Sequence, residues 1–110
     1  MFNPDLKRGS LELLILSALD REPLHGYEIG KLLELRSDGE LTLPVSTLYS
    51  ILYRMENRAW IKGRWVEKPG KRRRCTYTLT DEGARVLVRQ RSEWEAFSAM
   101  VNRVIEHAPA

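Results

Sequence analysis

A chain of 110 residues has room for one domain around one hydrophobic core, and 43% hydrophobic with 30% charged residues is a globular rather than a disordered balance. The single cysteine, Cys75, excludes an internal disulfide and a multi-cysteine zinc site, which makes a reducing cytoplasm the expected setting. The net charge is only +3, yet residues 62–74 hold seven bases against one acid, a local +6 that suits either a polyanion partner or a solvated hairpin tip.

The longest aliphatic run, Leu13 to Leu16, falls far short of the roughly 20 apolar residues that cross a bilayer. The first residues lack the basic-then-apolar layout of a secretion signal, so no membrane partner is expected. In chain order, Ser10 can cap a first helix, with Glu12 in its first turn favouring the helix dipole. Leu11, Leu13, Leu14, Ile15, Leu16, Ala18 and Leu19 leave that helix apolar on nearly every side, which predicts deep burial until Pro23 ends it. A second helix is expected from His25 or Gly26 to Arg36, with Ile29, Leu32 and Leu33 inward, Leu35 as a further candidate for that side, and Gly30 leaving room for a neighbouring helix. Residues 37–40 read as a turn, and Leu41 to Leu43 as a very short strand stopped by Pro44.

The third helix should begin at Ser46 or Thr47. Leu48, Ile51, Leu52 and Met55 then form one core stripe at i, i+3, i+4 and i+7. Its opposite side carries Thr47, Ser50, Tyr53, Arg54 and Asn57, flanked by Tyr49, with no carboxylate before Glu56. After Trp60 the period becomes two-fold: Ile61 to Val66 and Cys75 to Leu79 read as paired strands, with Pro69 and Gly70 at the turn. The hairpin tip then holds Lys68, Lys71, Arg72 and Arg73, with Arg74 beside them. Thr80, Asp81 and Glu82 open a final helix of about 40 Å at ~1.5 Å per residue. Along it, Leu87, Trp94, Phe97, Val101 and Val104 repeat on one side.

Helix, helix, turn, helix, hairpin and long helix make a mainly α fold with a small β-hairpin, the layout of a winged helix-turn-helix. In that layout the third helix fits a major groove and the basic wing reaches phosphates, which favours double-stranded DNA as the polyanion. The division expected is residues 1–80 for DNA binding and 81–110 for pairing.

Four ordered segments resemble the PadR family of transcriptional regulators. They are Gly9-Ser10-Leu11 with Leu14-Ile15-Leu16, then His25-Gly26-Tyr27-Glu28-Ile29, then Ser46-Thr47-Leu48-Tyr49, and Tyr77-Thr78-Leu79-Thr80-Asp81-Glu82-Gly83. The length is similar to that of the compact members with one C-terminal helix. The resemblance implies a homodimeric repressor on a pseudo-palindromic operator, its last helix packed against the partner's first. It also implies, for some members, release from DNA by a small aromatic or drug-like effector. Ser46 stands where the family usually has glycine, and Ser50 where proline is common, so base preference does not carry over.

The DNA-facing candidates are therefore Ser46, Thr47, Tyr49, Ser50, Tyr53, Arg54, Lys68, Lys71, Arg72, Arg73 and Arg74. The dimer candidates are Leu11, Leu14, Leu87, Trp94, Phe97, Val101 and Val104, and Trp94 doubles as a ligand platform. Tyr53 could equally cover the hairpin base, and Cys75 and His25 read best as packing and helix-bracing residues. A winged-helix protein-interaction module is the competing class, though it has no use for four consecutive bases at 71–74. No nucleophile–base set, phosphate loop or metal-spaced ligand group is present in the sequence, so neither an enzyme nor a cofactor is expected.

Overall fold

The computed structural model describes residues 4–67, 69–70 and 74–106, with side chains from Ser10 onward. The element order is α1 Pro4–Ala18, β1 Leu24–His25, α2 Gly26–Arg36, α3 Val45–Asn57, β2 Ile61–Val66, β3 Arg74–Leu79 and α4 Asp81–Ile105. The strands form one antiparallel sheet in the order β1-β3-β2. No helix among the described residues is long and apolar enough to cross a membrane.

One core joins all four helices to the sheet. Ile15, Leu16, Ile29, Leu52, Met55, Ile61 and Val86 are its fully buried large side chains. The stripe expected on α3, Leu48, Ile51, Leu52 and Met55, is buried throughout. Arg58 ties the far end of α3 to α1 through Glu12 at 2.9 Å, its guanidinium 5.0 Å from the Trp60 ring centroid.

Several boundaries differ from the sequence expectation. Helix α1 starts at Pro4, so Ser10 lies inside it and not at its cap. Proline suits a first helical position, and Gly9 within the helix lowers its propensity by about 1 kcal/mol without breaking it. The helix also stops at Ala18, well ahead of Pro23. Leu41 to Leu43 keep their alternation but form no ladder, and the Leu41 N–H donates to Ser37 Oγ at 2.9 Å. The third strand is instead Leu24–His25, two residues too short to show a period.

Helix α3 begins at Val45 after Pro44, and neither Ser46 nor Thr47 caps it. It ends in a Schellman turn: Trp60 N–H donates to the Met55 carbonyl at 3.1 Å and Ala59 N–H to that of Glu56 at 2.9 Å. This places Ala59 at φ +62°, the left-handed region that favours glycine. Strand β3 starts one residue earlier than expected, at Arg74 opposite Val66. Thr80 caps α4 as expected, its Oγ1 accepting from Gly83 N–H at 2.9 Å while its hydroxyl proton faces the carbonyls of Ala59 and Trp60.

Candidate nucleic-acid interface

Burying the apolar stripe of α3 forces the other side of that helix outward, since 3.6 residues per turn leave no other arrangement. Ser46, Thr47, Ser50, Tyr53, Arg54 and Asn57 are all exposed, Tyr53 at 67%. Among the described residues no carboxylate pairs with Arg54, while the one acid of α3, Glu56, turns to the wing and accepts from Gly63 N–H at 3.2 Å. The outward face therefore offers hydroxyls, an amide and a free guanidinium.

Tyr49 behaves differently from its neighbours. It is 42% exposed, but its hydroxyl end lies against Gly26 at the start of α2, where a β-carbon would overlap it. Tyr49 thus spans α3 and α2, a role that its flank position did not suggest. Below it, burial raises the Tyr77 phenol above its ordinary range, with the neighbouring Cys75 thiol and the Glu56 charge acting in the same direction. Cys75 itself is buried, as a packing residue should be. His25 also braces, its Nδ1 3.1 Å from Thr76 Oγ1 and its N–H donating to Glu28 Oε1 at 2.9 Å.

The wing follows the strand register. Ile61, Gly63 and Trp65 pair with Leu79, Tyr77 and Cys75 on the inner face. Lys62, Arg64 and Val66 pair with Thr78, Thr76 and Arg74 on the outer face, where Lys62, Arg64 and Arg74 are exposed. Lys62 and Arg64, which the sequence reading did not place among the DNA-facing candidates, share this outer face with Arg74, a placement that their two-residue spacing already encodes. Lys68, Lys71, Arg72 and Arg73 lie outside the described residues.

The dimer candidates separate into two groups. Leu11 at 7% and Leu87 at 2% exposure are spent within the chain's own core. Leu14, Trp94 at 48%, Phe97 at 46% and Val104 remain exposed, Val101 is half-buried, and Met100 and Ile105 extend the same uncovered region. The Trp94 and Phe97 rings stand 6.1 Å apart, tilted by 37°. They border an open groove of about 250 Å³ between α1 and α4 that Ser10, Leu13, Gln90 and Glu93 complete.

The model of the PadR-like family of transcriptional regulators matches residues 15–89. The chain belongs to that family. PadR-like architecture is also what solved structures share with it: a transcriptional regulator from Clostridium thermocellum superposes with a TM-score of 0.82 at 32% identity, covering 90% of this chain and 96% of that one. A PadR family regulator from Clostridium difficile gives 0.77 at 32% identity, covering 87% and 98%. The transcriptional regulator YqjI of Escherichia coli is 33% identical over 79% of this chain, which spans 40% of that protein's length. The PadR-like chain is accordingly a winged-helix, DNA-binding transcriptional regulator and not an enzyme.

Proposed function

We propose that this PadR-like regulator acts as a homodimeric repressor in the cytoplasm, binding a pseudo-palindromic operator. The observation that carries the reading is the outward, carboxylate-free face of α3, together with a wing whose outer face exposes Lys62, Arg64 and Arg74. Ser46, Thr47, Ser50, Tyr53 and Arg54 would enter a major groove, where hydroxyls and a guanidinium can meet base edges and phosphates. Lys62, Arg64 and Arg74, with Lys68 and Lys71 to Arg73 between the strands, would neutralise phosphates and release counterions.

The uncovered region from Trp94 to Ile105 supports pairing of two chains through α4, with Leu14 of α1 also exposed. Gly83, Val86 and Leu87 are committed to the core, which supports pairing through the part of α4 that follows them. The groove beside Trp94 and Phe97 supports a flat aromatic effector that lowers operator affinity by changing the spacing of the two recognition helices. The deciding experiment is a gel-shift titration across salt concentrations. Affinity should fall steeply with salt on both specific and random duplexes; weak, salt-independent binding or none would sink the DNA reading and favour an interaction module.

A further inference from the structure

We propose that Gly26 and Gly30 form a notch in α2 that sets the seat of α3, making them specificity-positioning residues outside the DNA-facing surface. The inference rests on the DNA-binding reading above and adds to it which residues fix the depth of the recognition helix.

The i, i+4 spacing puts both glycines on one side of α2. A β-carbon at Gly26 would overlap the Tyr49 hydroxyl and stand 2.6 Å from Tyr49 Cζ and 2.9 Å from Cε1. At Gly30 it would stand 3.3 Å from Leu48 Cδ2. Leu48 and Tyr49 are consecutive in the second turn of α3, so that turn rests on the two places where α2 has no side chain.

Conformation does not account for these glycines. Both lie in helix α2 and neither adopts a positive φ, whereas Gly39 and Gly70 do. Gly30 lies in the helix interior, where alanine is the better helix former, so space is the remaining physical reason for glycine there; at Gly26 the overlap with the Tyr49 ring supplies the same reason. The two seats also differ in hardness. Gly26 faces a ring held between helices; Gly30 faces the flexible end of a leucine.

A shifted α3 carries its outward residues with it. Hydrogen bonds from Thr47, Ser50 or Arg54 to base edges tolerate only a few tenths of an ångström before they weaken. Attraction of the wing to phosphates falls off gradually with distance and tolerates the same shift. Filling the notch should therefore damage discrimination between sequences more than affinity for DNA in general.

The test begins by selecting a preferred duplex from a random-sequence library with the wild-type protein. Affinities for that duplex and for a scrambled one are then measured for Gly26→Ala, Gly30→Ala, Tyr49→Ala and Gly26→Ala/Tyr49→Ala, with thermal melting and sedimentation alongside. Gly30→Ala should melt no lower than wild type while its selected-to-scrambled ratio falls about threefold. Gly26→Ala should lose about tenfold, the scale of one mismatched base pair. With the ring gone, Gly26→Ala should add no further loss to that of Tyr49→Ala. An unchanged ratio, equal losses on both duplexes, or additive losses in the double variant would overturn the notch. If Gly26→Ala does not fold, Gly30→Ala decides alone. If the wild type enriches no duplex, the DNA reading itself falls and this inference with it.

Discussion

Ala59 shows how a single residue can be placed against its own preference. The Schellman turn that ends α3 needs a left-handed residue at this position, and alanine there carries a strain of roughly 1–2 kcal/mol. Ala59→Gly should stabilise the protein by about 0.5–1 kcal/mol, because glycine relieves the strain but enlarges the unfolded ensemble. A urea melt checks this; a lower midpoint with unchanged slope would count against the strained turn. Thr80 works in the other direction, capping α4 while its hydroxyl meets the end of α3. Thr80→Ala should cost about 1–2 kcal/mol in the same assay. Arg54 is the outward cation that no described carboxylate pairs, so Arg54→Ala should weaken binding to the selected duplex by about 1–3 kcal/mol and leave the melting temperature within a degree or two.

At the scale of elements, the two faces of the wing have separate tasks. The inner face continues the core through Ile61, Tyr77 and Cys75, and Gly63 lets β2 approach the Cys75 sulfur. The outer face holds Lys62, Arg64 and Arg74, each free of the core and aligned by the register. Replacing Lys62, Arg64 and Arg74 by alanine should lower affinity on all duplexes alike. Each true phosphate contact removed should reduce the magnitude of the log–log salt slope by about 0.9. Anisotropy titrations at several salt concentrations measure this, and an unchanged slope would remove the outer face from the DNA surface. The hydrogen bond between Glu56 and Gly63 N–H links this wing to α3, so the two elements are tied to each other.

Across the whole molecule, α4 divides into a half that completes the core and a half whose large apolar side chains stay largely exposed among the described residues. Gly83, Val86 and Leu87 are buried, whereas Trp94, Phe97, Met100, Val104 and Ile105 are exposed. An apolar stripe of that length in water favours covering by a second chain. Phe97→Glu should therefore shift sedimentation from dimer to monomer. It should also weaken binding to a two-half-site duplex by at least about tenfold, since the second half-site is then no longer tethered. A variant that stays dimeric at micromolar concentration would place the interface elsewhere.

The amino-acid sequence by itself determined the four helices and the β2–β3 hairpin, the buried stripe of α3, the capping of α4 by Thr80 and the outward set from Ser46 to Arg54. All of these follow from local periodicity and local hydrogen bonding, which neighbouring residues settle among themselves. The concentration of charge at 62–74 is equally a property of the chain. Tertiary structure alone decided the rest. The strand Leu24–His25 exists only because β3 offers it a free edge, while Leu41–Leu43 has no such neighbour. Leu11 and Leu87 belong to the chain's own core because α1 and α4 pack together, a fact that no one-helix pattern contains. The seat of Tyr49 on Gly26 joins residues far apart in sequence, so its cause lies in packing geometry and not in either local segment.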